Sequence, residues 1–162
     1  MNDMNTPPEE QLGRLLLSRG LTMGTAESCT GGNIAHRITS VPGSSAWFQG
    51  GIVSYANPVK RELLGVSSEA LEEHGAVSRQ VVEQMARGAK RVLHCDCTLA
   101  TSGIAGPGGG SAHKPVGTVW IAALYGDQLR ASLFHFKGNR QEVIAQSSDA
   151  ALTMLAEMIN AG

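Results

Sequence analysis

Residues 116–136, VGTVWIAALYGDQLRASLFHF, constrain the architecture of this chain more than any other stretch. Two strand-length apolar runs, VGTVWIAALY and QLRASLFHF, flank Gly126-Asp127, and such a pair between such runs reads as a two-residue hairpin turn. The late part of the chain is therefore an antiparallel pair. Earlier, strand-length segments alternate with helical ones: LTMGTAE, then GGNIAHRITS, then AWFQGGIVSY. Alternation of that kind needs crossover connections and gives parallel neighbours. A parallel start and an antiparallel end predict an α/β fold, a single three-layer α/β/α domain with a mixed β-sheet.

The helices are legible from their punctuation. PPEEQLGRLLLSRG puts prolines in a first turn, Leu12, Leu15 and Leu16 on one stripe, and Gly20 at the end. Asn57-Pro58 opens a short helix with Leu63 and Leu64 inward, and a second short one spans Glu69 to Glu73 before Gly75. Ser78 caps a longer helix carrying Val81, Val82, Met85 and Ala89 at helical spacing. Asn139 with Glu142 three residues on resembles a capping box for the last helix. Glycines inside AWFQGGIVSY suggest a bulge or a close backbone approach. Residues 1–8 read as a flexible leader and 9–162 as the domain.

With 162 residues and a net charge of −1, the chain offers no basic field for nucleic acid or an anionic membrane surface. No apolar run approaches the ~20 residues that span a bilayer, and the N-terminus lacks the pattern of a signal peptide. Three cysteines, an odd number, argue against a disulfide framework and for a reducing compartment. The expected location is the cytoplasm.

The chemistry concentrates in four places. TAESCTGGN, Thr25 to Asn33, sets Ser28 beside Cys29 where a strand gives way to a helix. Thr30, Gly31 and Gly32 would there present backbone N–H groups to an anion or an oxyanion. The same residues suit an ordinary capped turn, with Ser28 or Thr30 as the cap, and the stretch alone does not decide between the two. A thiol is the stronger nucleophile, whereas a serine needs a base, and His36 lies too far along the helix to supply one. Within GGIVSYANPVK, Ser54, Tyr55 and Lys60 follow a strand, and a desolvated lysine can act as a base. Taken alone, Lys60 reads as a solvated helix residue. TSGIAGPGGG, Thr101 to Gly110, is neither a Walker A loop nor a dinucleotide fingerprint but suits a nest for a phosphate or carboxylate, with His113 and Lys114 adding charge. Arg140 opens the last helix and is able to clamp an anion, although taken alone it reads as a solvent-exposed helix residue. HCDC, His94 to Cys97, lacks metal-site spacing, so no metal is expected and a packing role is preferred.

Taken together, TAESCTGG, GGIVSYANPVK, TSGIAGPGGG with KPVGTVWIA, and GNR near the last helix resemble the CinA C-terminal domain family in its stand-alone form, the PncC-type nicotinamide mononucleotide amidohydrolases. The resemblance runs from about Glu9 to the end of the chain. It implies hydrolysis of the carboxamide of nicotinamide mononucleotide to nicotinate mononucleotide and ammonia, with no cofactor and no metal. It implies Ser28, Tyr55 and Lys60 as catalytic residues, Ser28 as the nucleophile, and Cys29 as part of the turn. The oxyanion and substrate would fall to Thr30, Gly31, Gly32, Ser102, Gly103, Gly106 and Arg140. An α/β/α fold and a homo-oligomer are implied as well. The competing expectation is a nucleotide-binding or regulatory module of the same fold without turnover.

Overall fold

A computed structural model describes residues 5–162. Its elements run α1 (Pro8–Arg19), β1 (Met23–Glu27), α2 (Asn33–Thr39), β2 (Phe48–Val53), α3 (Asn57–Leu64), α4 (Ser68–His74), α5 (Arg79–Leu93), β3 (Cys97–Gly103), β4 (Thr118–Tyr125), β5 (Gln128–His135) and α6 (Arg140–Ala161). Residues 1–4 of the expected leader lie outside the described residues; Thr6 is buried, and Gln11 Nε2 donates to its carbonyl.

One mixed sheet of five strands in the order β2-β1-β3-β4-β5 forms the middle layer. β1 pairs parallel with both β2 and β3, whereas β3–β4 and β4–β5 are antiparallel. The hairpin turn is Gly126-Asp127, with Gly126 at φ 60°, a value glycine adopts without penalty. The expected irregularity in β2 is present: Met23 faces Phe48 but Gly24 faces Gly50, so Gln49 is the extra residue.

Strand alternation separates two cores. On one face Leu99 and Ile121 pack with Leu12, Leu16, Ile34, Ile38 and the inward side of α6. On the other, Ala26, Ala100 and Ala122 lie beneath α5, whose Val81, Val82, Met85 and Ala89 are buried as their spacing predicted. Small residues on that face let α5 lie close to the sheet. α3 is drawn in by α5: a methyl group on Gly88 would collide with the Leu64 carbonyl oxygen, and Arg91 Nη2 donates to that same oxygen. Ser78 caps α5, and the Asn139/Glu142 capping box opens α6, both as read from the sequence.

No helix among the described residues is long and apolar enough to cross a membrane. Because β1, β2 and β3 point the same way, their C-terminal ends meet at one edge of the sheet, the usual place for ligand groups in α/β proteins.

Candidate active site

Ser28 follows the last residue of β1 and remains tied to the sheet. Its N–H donates to Thr101 O on β3 at 3.1 Å, and Ser54 N donates to Glu27 O at 2.8 Å from the β2 side. A residue held on both sides in this way has little freedom. The side chain faces a cleft of about 270 Å³ whose walls include Cys29, Tyr55, Lys60, Ser102, Gly106 and Arg140.

Lys60 is carried into this cleft by helical spacing. Lys60 and Leu64, one turn apart, are the buried residues of α3, and Lys60 is 1% exposed. Its Nζ donates to Ser28 Oγ at 3.0 Å and to the main-chain oxygen of Tyr55 at 2.9 Å. None of the cleft's lining residues is an aspartate or glutamate. Burial lowers the lysine's pKa below its ordinary value, and the neighbouring Cys29 opposes this to a smaller degree. The solvated lysine that its sequence position alone suggested is thus replaced by a desolvated amine on a hydroxyl.

Tyr55 is 62% exposed and lines the cleft. Its hydroxyl accepts from Arg140 Nη2 at 3.3 Å, while Arg140 Nη1 donates to Gly106 O at 2.8 Å. It is therefore the Tyr55 carbonyl that bonds to Lys60, while its phenol bonds to Arg140. Arg140 joins the glycine loop to Tyr55, and the structure brings Ser102, Gly103 and Gly106 into the same wall.

Thr30, Gly31 and Gly32 lie elsewhere. None lines the cleft. The unpaired amides expected at the start of α2 are largely engaged. Gly31 N–H donates to Ser28 O, and Asn33 N–H donates to Thr30 O. The Ile34 and Ala35 N–H groups both donate to the carboxylate of Glu27, each at 2.9 Å. Neither Ser28 nor Thr30 is the cap: the N-cap is Gly32, with no capping side chain of its own. Glu27 was not singled out from the sequence. Its only signal there is an acid ending a strand whose every residue proves buried, and its partners lie seven and eight residues on, beyond any local motif. Lys114 also departs from expectation, because its Nζ is drawn to His74 O at 2.6 Å rather than into the cleft.

Cys29 lines the cleft but is only 7% exposed. Burial pushes its thiol up to about 11, with an interaction with Thr101 pulling more weakly the other way. Thr101 Oγ1 lies 2.8 Å from Thr30 Oγ1, which donates to Glu27 Oε1 at 2.7 Å. A carboxylate only accepts, so the hydroxyls point one way, Thr101 to Thr30 to Glu27. Cys95 and Cys97 are buried too, with Cys95 Sγ donating to Cys97 O, and the described residues hold no cluster of three or more His, Cys, Asp or Glu suited to a metal ion.

The CinA C-terminal domain family model matches residues 5–159. A CinA-like protein of Geotalea daltonii is 52% identical over 141 residues, 87% of this chain but 34% of that protein, so the chain spans about a third of such relatives. Nicotinamide-nucleotide amidohydrolase PncC of Escherichia coli strain K12 is 48% identical over 148 residues, covering 90% of this chain and 89% of that protein. Among solved structures, the competence/damage inducible protein CihA of Agrobacterium tumefaciens superposes with a TM-score of 0.90 at 41% identity, covering 99% of both chains.

Proposed function

Since the chain belongs to the CinA C-terminal domain family, we propose that it hydrolyses the carboxamide of nicotinamide mononucleotide to nicotinate mononucleotide and ammonia, with Ser28 as nucleophile. The observation that carries this reading is the Lys60 amine, buried, without a carboxylate in the cleft, and 3.0 Å from Ser28 Oγ. The kinship to a full-length amidohydrolase of matching size supports the substrate.

In this mechanism Lys60 is neutral, so the Ser28 hydroxyl donates to the Nζ lone pair, and Nζ takes that proton as Oγ attacks the carboxamide carbon. The C=O π electrons move onto oxygen, and the ammonium formed on Lys60 lies beside the developing charge. Collapse of the tetrahedral intermediate breaks the C–N bond, and Lys60 returns the proton to the departing ammonia. Water then attacks the acyl–serine, again giving its proton to Lys60, and the carboxylic acid leaves as Ser28 is restored. The second role of Nζ is positional: its bond to Tyr55 O fixes the amine while the other direction serves Ser28.

The substrate's phosphate is assigned to the Arg140 guanidinium and to Gly106, Gly108 and Gly109, which line the same cleft. Ser102 and Gly103 line the base beside the reacting group. Thr30, Gly31 and Gly32 act from behind the cleft, by shaping the turn that carries Ser28. The amidohydrolase unit is taken as residues 9–162, working without cofactor or metal, in the cytoplasm, as a homo-oligomer. Purified protein should release ammonia from nicotinamide mononucleotide and continue to do so after prolonged chelation. Tight binding of the nucleotide with no ammonia would instead identify a non-catalytic binding module.

A further inference from the structure

Glu27 carries a buried carboxylate that the mechanism does not use. It is 1% exposed, and no ion pair reaches it among the described residues. Four donors surround it: Ile34 N and Ala35 N at 2.9 Å, Thr30 Oγ1 at 2.7 Å and Thr25 Oγ1 at 3.3 Å. Burying a carboxylate without a cation is costly, and hydrogen bonds must offset it. The N-cap of the seven-residue α2 is Gly32 at φ 98°, a conformation that excludes the usual capping serine or aspartate, so the cap must come from another residue. This chain caps the helix from the residue before Ser28.

That choice has a geometric consequence. The Glu27 main chain is fixed in the sheet by Ser54 N, and its side chain reaches forward to Ile34 and Ala35. The chain from Glu27 to Ile34 is thereby closed into a ring, and Ser28 is a member of it. Thr30, on the far side of the ring, is tied to the same carboxylate and to Thr101 on β3. Gly31 and Gly32, at φ 59° and 98°, supply the two positive dihedrals that such a tight return requires.

We propose that Glu27 is a positioning residue: its carboxylate closes the Ser28–Gly32 turn onto α2 and so holds Ser28 Oγ against Lys60 Nζ. The proposal rests on Ser28 being the nucleophile but not on the identity of the substrate. A misplacement of about 1 Å at a reacting atom costs on the order of 10²-fold in rate, so loosening the ring should be felt in chemistry before it is felt in binding.

The test measures Ser28 labelling by a fluorophosphonate probe, located by mass spectrometry, alongside kcat and KM on nicotinamide mononucleotide. Glu27→Gln should lower labelling rate and kcat together by about tenfold or more, with KM changed far less. Thr30→Val keeps both amide–carboxylate bonds of the helix cap but unties the turn, and should lower both rates with KM again held. Thr98→Val removes a buried bond to Ala86 O far from the cleft and should lower Tm without lowering either rate. Glu27→Gln that folds and keeps wild-type labelling and kcat overturns the proposal. If Glu27→Gln does not fold, wild-type rates in Thr30→Val overturn it. Wild type labelled at Ser28 but inert toward the nucleotide defeats the substrate assignment, and the labelling rates still decide the role of Glu27. Wild type unlabelled at Ser28 overturns the nucleophile and the proposal with it.

Discussion

Lys60 Nζ donates to Ser28 Oγ at 3.0 Å across 32 residues of sequence, inside a cleft that offers the amine no acidic partner. An ammonium in that position would be desolvated with only the neutral oxygens of Ser28 and Tyr55 to compensate, so burial favours the neutral form and lowers the pKa from 10.5. Lys60→Arg retains charge but cannot deprotonate at working pH. It should therefore lose kcat about as severely as Lys60→Ala, by roughly 10²–10⁴-fold. A phosphate-binding lysine would instead tolerate arginine, with KM rising and kcat kept. In the wild type, kcat/KM should rise with pH along a limb whose midpoint lies below 10.5, because deprotonation creates the base. The same shift makes stability rise with pH between the lowered pKa and 10.5, where the unfolded chain binds the proton and the folded one does not.

Cys29 should prove dispensable for turnover. With a pKa of about 11, its thiol stays protonated at neutral pH, and Cys29→Ala should keep most of the activity. Alkylation of Cys29 in the folded protein at pH 8 should be slow. The raised pKa, set against 9.0 for the free group, gives a contribution to stability that is full below pH 9 and is lost as pH rises through about 11. Titration of folding stability across that range checks the sign.

Arg140→Ala removes the donors to Gly106 O and Tyr55 OH at once. Charge-assisted hydrogen bonds are worth ~1.5–3 kcal/mol, so KM for the nucleotide should rise about tenfold or more while kcat falls less. Steady-state kinetics separate the two. A fall in kcat with KM unchanged would place Arg140 in the chemical step.

Gly88 links the core to the site. α5 meets α3 where a methyl group at Gly88 would collide with the Leu64 carbonyl oxygen, one turn from Lys60. Gly88→Ala should cost about 1–3 kcal/mol by overpacking, read as a lowered Tm, and should lower kcat by displacing α3. Unchanged stability would mean that the two helices separate without penalty.

The architecture was legible because each element carries its own local signal. Gly126-Asp127 fixed the hairpin, Ser78 and the Asn139/Glu142 pair marked helix starts, and the alternating elements implied parallel strands. Lys60 was less legible, since its burial depends on α3 folding back against α5, which no spacing within NPVKRELL encodes. Tyr55 was legible as a site residue, but not that its main-chain oxygen would hold Lys60 while its hydroxyl meets Arg140 from the other end of the chain. Glu27 was invisible for the same reason: its donors at Ile34 and Ala35 arrive only after the Thr30–Gly32 turn has reversed the chain. Thr30, Gly31 and Gly32 were recognised as special, but they lie outside the cleft lining, and the Gly31 amide serves the turn itself.

The most direct test of Ser28 as the nucleophile of an amide hydrolase is ammonia and nicotinate mononucleotide release from nicotinamide mononucleotide by wild type, Ser28→Ala and Cys29→Ala side by side. Wild type and Cys29→Ala should release the two products in equal amounts, and Ser28→Ala should fall by about 10³-fold or more while still binding the nucleotide. Ammonia from Ser28→Ala at the wild-type rate, or none from wild type, would contradict the account.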